Sequence, residues 1–582
     1  MYKPLPNCAF LHSCHVTAKQ TKNGDEVIVV AAKDLDTGET KLQLIRDPKI
    51  QVYILQEGYR NFTYPREYLN MSNCNMYLVS YKNLYTEIAT LLEPKRRQPF
   101  NEDNAWMARK IVESSPYVVG WNIDPQVMVK CEYLDATPKD PTHLNLAVLD
   151  IETSVLPDTK NAVICLSICD WRTRQVHCFI DTAEWLRDFD AKELTRRTQV
   201  AYQEFVDGLN PKARKLWDQQ PIAPIYYQCE GEADLLVRAF KKLHELKPDF
   251  LAVWNLGFDC PHLIQRAQFR ELDLGNLFCH PDIPEPYRYV EWHADTTKVD
   301  HFTDVWHVLQ APGYTYWYDA MALYARIRKV QGRDIKYSLD YIGNKIIGSG
   351  KMHFGANQSH YLMQTNDPIG YCVYNTIDTL IPALMDAITQ DLSTMLALSD
   401  RSLIQDFSRQ TVRLTAQFYK YLIGQSKVPG ACVGSQKQAT DVFIGNIGGA
   451  VLNPVLMRDK GIVAVKESPR QTNIYKLASD LDVSSFYPST TIAANVSKET
   501  KLFTTLWMEG CPYTLDDIQN APDEAKQALM AKQNAEYINE FYGLLPCVLE
   551  NAVSLCKAHF NLPDYAEMLN LINLELKESN HD

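Results

Sequence analysis

The run Leu144-Asn-Leu-Ala-Val-Leu149 reads as a buried β-strand, and it leads directly into Asp150-Ile-Glu152. Carboxylates at i and i+2 on a strand point to the same face. Two acids held that close at the end of a buried strand repel each other and need a compensating cation. Oxygen ligands of this hardness select Mg²⁺ or Mn²⁺. By itself such a pair is more often a solvated strand end than a metal site, so the surrounding chain has to decide.

Further acids follow at intervals. A second apolar run covers Ala162 to Ile168, and Glu232 to Glu245 has helical spacing through Leu235, Leu236, Ala239, Phe240 and Leu243. The strand-like Phe250-Leu-Ala-Val-Trp254 closes in Asn255-Leu-Gly-Phe-Asp259, with Asp259 just past it. In Tyr374-Asn-Thr-Ile-Asp378 a helical i,i+4 spacing puts a phenol beside a carboxylate. Strand, helix and strand with long insertions imply an α/β domain.

The rest of the chain frames this domain. At 582 residues it is too long for one core, and three or four domains are expected. Residues 1–143 read as mixed α/β: a strand at Glu26–Lys33, a turn at Asp36-Thr-Gly38, and a strand at Thr40–Ile45. A helix is expected over Leu84–Leu92 with Leu84, Ile88 and Leu91 on one face. Lys95-Arg96-Arg97 reads as a solvated charge run. Residues 390–430 read as helix, with Leu396, Leu403, Phe407, Leu414 and Phe418 on one side. A Gly-rich passage follows at Ile444–Ala450, then a strand carrying Asp480-Leu-Asp482 and a largely helical tail from Asp523 to about Leu574.

No run of about 18 apolar residues exists, so no membrane span is expected, and the N-terminus lacks the apolar run of a signal peptide. The 15 cysteines form no C-x-x-C pair; Cys165 and Cys169, in an apolar run, read as buried reduced thiols of a cytosolic protein rather than a zinc site. The net charge of −12 argues against a protein that coats nucleic acid. It leaves room for an enzyme with a local basic channel.

Taken in order, Asp150-x-Glu152, Asn255-x-x-Phe258-Asp259 and Tyr374-x-x-x-Asp378 resemble the three motifs of the DEDDy 3′→5′ proofreading exonucleases. The lead-in from Glu232-Ala-Asp-Leu-Leu through Pro248 to Asn255 is similar to family B DNA polymerases. So are Lys336-Tyr-Ser-Leu-Asp-Tyr-Ile342 and Gly348-Ser-Gly-Lys-Met352. The resemblance implies a ribonuclease H-like domain over residues 144–390 that removes nucleotides by two-metal in-line displacement. Asp150, Glu152 and Asp378 would hold one Mg²⁺ or Mn²⁺, and Asp150 and Asp259 the second. Tyr374 would orient the attacking water, and Asn255 and Phe258 would contact DNA.

Asp482-Val-Ser-Ser-Phe-Tyr-Pro-Ser489 resembles polymerase motif A of the same family, with Phe486 in place of the usual leucine. By that resemblance Asp482 ligates the Mg²⁺ of a polymerase site, Ser485 and Phe486 contact the deoxynucleoside triphosphate, and Tyr487 excludes a 2′-hydroxyl. Gly448 and Gly449 fall where the family touches template DNA, although Asn446 replaces the usual tyrosine. The second palm carboxylate motif and the fingers lysine are missing. Asn539-Glu-Phe-Tyr-Gly543 imitates the fingers motif, but Ala535 stands where the lysine belongs.

The expectation is therefore an α/β multidomain chain. An N-terminal mixed α/β domain comes first, then the exonuclease domain, a linker over 391–470 returning to the N-terminal domain, and a partial palm with a helical tail over 471–582. It would be the N-terminal portion of a split or truncated family B DNA polymerase, able alone only to degrade DNA. A second chain would supply fingers, the remaining palm and thumb, as in the divided enzymes of tailed bacteriophages. Primer-template and single-stranded DNA, deoxynucleoside triphosphates and a sliding clamp are the other expected partners, and the cytoplasm, of a bacterial host if phage-encoded, the expected location. The alternatives are a stand-alone exonuclease with a vestigial palm, and a non-enzymatic DNA-binding or scaffold protein. Intact motif A argues against the first, and the four carboxylates against the second.

Overall fold

A computed structural model describes residues 2–402, save 61–72, 95, 97–99, 102–103, 116, 139–142, 296–300 and 354–358, and a few residues between 513 and 533. The chain divides into two units, Met1–Gln436 and Lys437–Asp582. The first unit is a mixed α/β structure with several sheets.

Strands β1 (Cys8–Val16), β2 (Val27–Asp34) and β3 (Thr40–Arg46) form an antiparallel sheet in that order. The expected β2–β3 hairpin is present. Asp34 Oδ1 accepts from the Asp36 and Thr37 amides, and Gly38 takes the left-handed φ of +70° that closes the turn. In a second sheet β4 (Lys49–Leu55) lies between β5 (Cys74–Ser80) and β6 (Val118–Val119). The expected helix Leu84–Leu92 packs near it and buries Leu84, Ile88, Ala89 and Leu92, leaving Leu91 half-buried. Leu92 continues the i+4 row of Leu84 and Ile88, the row along which helices meet their neighbours, and so takes the place expected of Leu91.

The central sheet is built from β7 (Leu146–Thr153), β8 (Val163–Asp170), β9 (Gln175–Asp181), β10 (Ala223–Cys229) and β11 (Phe250–Val253). Strands β12 (Glu291–Asp295) and β13 (Trp306–Gln310) form a separate antiparallel ribbon, and β14 (Tyr316–Asp319) completes the sheet. The order is β10-β9-β8-β7-β11-β14, with β8 antiparallel to both neighbours and the other pairs parallel.

Strand β7 carries Asp150 and Glu152 near its end, as their i,i+2 spacing implies, paired opposite Ser167 and Cys165 of β8.

Alternation along β7 separates two cores. Ala147, Leu149 and Ile151 join the layer of helix Glu232–Leu246, with its Leu235, Leu236, Ala239 and Phe240. Leu146 and Val148 join the layer of helix Pro368–Thr389, with its Val373, Ile377 and Leu380. By the period of two, Asp150 and Glu152 face that second helix. Cys165 and Cys169 of β8 belong to the same layer and are buried free thiols, as expected.

The N-terminal strands are fastened to the central sheet. Lys33 Nζ on β2 pairs with Asp249 Oδ2 at 2.6 Å, both buried, and the Asn145 amide donates to the same oxygen at 2.7 Å. Helix Asp391–Ser402 follows the long helix and buries Leu392, Met395 and Leu396; the rest of the helix expected to 430 lies outside the described residues. Among the described residues no helix is long and apolar enough to cross a membrane.

Candidate metal centre

Helix Pro368–Thr389 begins at a strong signal. Asp367 accepts from the Gly370 amide and Pro368 occupies the first turn. Gly370 leaves room beside this cap for the Asp367–Arg197 ion pair, whose side-chain ends would have to shift for a Cβ there. From this start Tyr371, Tyr374, Asn375 and Asp378 fall at i, i+3, i+4 and i+7, one stripe of the helix.

The stripe meets the acids of β7. Asn375 Nδ2 donates to Asp150 Oδ2 at 2.7 Å, and the Tyr371 hydroxyl donates to Glu152 Oε2. The Tyr371 and Tyr374 rings stack in parallel, 5.8 Å between centroids. Carboxylate oxygens of Asp150, Glu152 and Asp378 all lie within 4.8 Å of one another. Distant sequence segments thus converge on one small buried volume.

Lys351 completes the cluster. Its ammonium donates to Asp378 Oδ2 and, at 2.8 Å, to the Tyr374 hydroxyl, while its backbone amide donates to Asp340 Oδ1 at 2.9 Å. Gly350 allows this approach, since a Cβ there would meet Asp340 Oδ1 at 2.1 Å.

Asp259 sits buried in the first turn of helix Leu256–Phe269, directly after β11. It is not in the tight triad. Its pKa is nevertheless pushed well up, first by burial and then by the charges of Asp150, Glu152 and Asp319. Asn255 is the N-cap of that helix, exposed and with no side-chain capping bond. Phe258 is 54% exposed and stacks on His262, 5.9 Å between centroids and 10° between planes. Asp482, Ser485, Phe486, Tyr487, Gly448 and Gly449 lie outside the described residues.

The acids are held in an unfavourable state. Burial, then the charge of Asp378, raises Asp150 to about 7. Glu152 is raised well above its ordinary value by burial and then by Asp150 and Asp378. Asp378 is raised by burial despite the opposing charge of Lys351. Burial works against the Lys351 ammonium, but Asp378, Tyr374 and Asp150 outweigh it and its pKa rises. Burial, then Asp378, raises Tyr374, so its phenol stays protonated at neutral pH. One ammonium cannot balance these carboxylates.

A divalent cation fits what remains. Asp378 Oδ1 is buried without a hydrogen-bond partner, and the donor set is all oxygen. Asp150, Glu152 and Asp378 could hold Mg²⁺ or Mn²⁺, whose charge would reverse the local cost of ionisation.

Sequence reasoning named Asp150, Glu152, Tyr374 and Asp378 but not Lys351, Asn375 or Tyr371. The last two share the helix stripe with Asp378, a signal that spacing could have provided. Lys351 lies within Gly348-Ser-Gly-Lys-Met352, a segment marked by its resemblance, but it reaches the site through a loop, so no helix or strand spacing assigned it a role. No protein-family model matches the chain, and no curated protein matches it in sequence.

Proposed function

We propose that the chain is the N-terminal part of a family B DNA polymerase and that its first unit is a metal-dependent 3′→5′ exonuclease. The observation that carries this reading is the convergence of Asp150 and Glu152 from β7 with Asp378 from helix Pro368–Thr389, with an unpartnered Asp378 oxygen among them.

The reaction is hydrolysis of the terminal phosphodiester. A bond forms between water oxygen and phosphorus, the bond from phosphorus to the 3′-oxygen breaks, and a nucleoside 5′-monophosphate leaves. Divalent cations bound by Asp150, Glu152, Asp378 and Asp259 would supply acidification of the water and neutralisation of charge on the phosphate. Asn375 and Tyr371 hold the carboxylates of Asp150 and Glu152 in fixed orientations. Lys351 fixes the Tyr374 hydroxyl, which remains a neutral donor able to orient water. Asn255 and Phe258, both exposed beside Asp259, are suited to the sugar-phosphate and base of the 3′ end. Motif A, with Asp482, Ser485, Phe486 and Tyr487, would form part of a polymerase site that takes deoxynucleoside triphosphates.

The test is degradation of a 5′-labelled single-stranded oligonucleotide with Mg²⁺, Mn²⁺ or EDTA. Stepwise shortening from the 3′ end is expected with either metal, to be lost in Asp150→Ala and Asp378→Ala and kept in Asp482→Ala. No shortening with either metal, or shortening that survives Asp150→Ala, would sink the nuclease assignment. The polymerase half is tested by primer extension with the full-length protein and whatever chain copurifies with it. Nucleotide incorporation that Asp482→Ala abolishes is expected, and none would leave a stand-alone nuclease.

A further inference from the structure

Although the chain carries a net charge of −12, the stretch 326–336 bears Arg326, Arg328, Lys329, Arg333 and Lys336 against one acid, Asp334. An aromatic ledge stands beside it. Phe302 lies in the turn Phe302–Asp304 and is 58% exposed. The His301 ring lies 4.3 Å from it, centroid to centroid, and both rings pack against Tyr337, at 5.9 and 5.8 Å. Two residues on, Asp304 holds Lys329 at 2.9 Å and Arg333 at 2.8 Å, so two half-exposed cations are fixed next to the exposed ring with one negative charge between them.

The ledge is linked to the carboxylate site through Trp254. Tyr337 is buried, and its carbonyl accepts from Trp254 Nε1 at 3.2 Å. Trp254 follows β11, whose Val253 pairs with Leu149, so Trp254 comes level with Asp150. The same segment continues through Ser338, which caps helix Leu339–Ile347, to Lys351 in the site itself.

An exposed ring held at a fixed angle and flanked by cations is what sequence-tolerant binding of a single strand uses. The ring takes a base face, and the cations take the phosphates on either side. A docking surface for a folded protein would need a broader apolar patch. We propose that Phe302, backed by His301 and flanked by Lys329 and Arg333, stacks on a base of the single strand whose 3′ end lies at Asp150, Glu152 and Asp378. This rests on the nuclease reading above and adds a binding contact to it.

The experiment measures binding and cleavage separately. Binding is read in EDTA from the fluorescence of single-stranded oligonucleotides carrying one 2-aminopurine, scanned along the first few positions from the 3′ end. One position is expected to be quenched by the wild-type protein, released by Phe302→Ala and restored by Phe302→Trp. Phe269→Ala, which removes another exposed ring, should leave that signal unchanged. In cleavage, Phe302→Ala should raise KM about tenfold with kcat within about twofold, in line with loss of one base–aromatic stack. An abasic residue at the quenched position should raise KM for the wild type but not for Phe302→Ala. If no position responds to Phe302→Ala, or if the abasic effect persists in that variant, the ledge is not a stacking site. Quenching without any cleavage would count against the nuclease reading and leave the ledge standing.

Discussion

Asn375 is placed to act on the carboxylate cluster through Asp150. Its amide is the hydrogen-bond partner of Asp150 Oδ2, and its neighbour along the helix stripe, Tyr371, holds Glu152. Groups that orient metal ligands typically contribute about 10–100-fold to affinity or activity. Asn375→Ala is therefore expected to lower metal-dependent cleavage by about that factor while the fold survives, as read by initial rates across a Mn²⁺ titration. An unchanged rate and metal dependence would contradict the assignment. Asp150 also sets a pH dependence. Its pKa in the metal-free fold, about 7, lies above the ordinary 3.8. An acid raised in this way stabilises the fold while protonated, fully below about pH 4, and that stabilisation is lost as pH rises through about 7. A cation bound by the ionised carboxylates would reverse the loss. The rise in Tm on adding Mn²⁺ should then be larger at about pH 8 than at about pH 5, and equal rises by calorimetry would argue against a cation at these carboxylates.

At the scale of elements, the site depends on how closely helix Leu256–Phe269 approaches the β12–β13 ribbon. A Cβ on Gly257 would lie 2.4 Å from His307 Cε1, and that ring is held by Asp319 at 3.1 Å on one side and stacked on Trp292 on the other. The ring cannot retreat without breaking one of these contacts. Gly257→Ala is expected to destabilise the fold by about 1–3 kcal/mol through overpacking, and to shift the turn that carries Asp259, lowering cleavage as well. Chemical denaturation measures the first effect; an unchanged midpoint would mean that the turn has more room than its packing implies. At the same scale, β7 runs on through Asp150, Ile151 and Glu152 to Thr153, with β8 as its hydrogen-bond partner, as the spacing of the two acids implied.

For the first unit as a whole, the pair Lys33–Asp249 is a buried polar link between the N-terminal sheet and the central one. Both side chains are buried, and Asp249 also accepts from the Asn145 amide and from Thr40. Removing one partner leaves a buried charge uncompensated, which typically costs about 3–5 kcal/mol. Asp249→Ala should lower stability by that amount, measured by urea unfolding, even though it is no part of the carboxylate cluster. A loss within about 0.5 kcal/mol, the size of an ordinary surface change, would mean that water already reaches the pair.

Sequence alone determined the local part of this protein. Strand letters before Asp150, the helical step between Tyr374 and Asp378, the cap at Asp367 and the turn at Asp34–Gly38 follow from side-chain periodicity and backbone preference, which act over a few residues. Only the tertiary structure decided which distant groups share a volume. It brought Lys351 from a loop to Asp378, set Asn375 on Asp150, kept Asp259 just outside the triad, and aligned Trp254 with Asp150. Contacts of that kind depend on the register of strands and the packing of helices, interactions between segments far apart in the chain that no local pattern encodes.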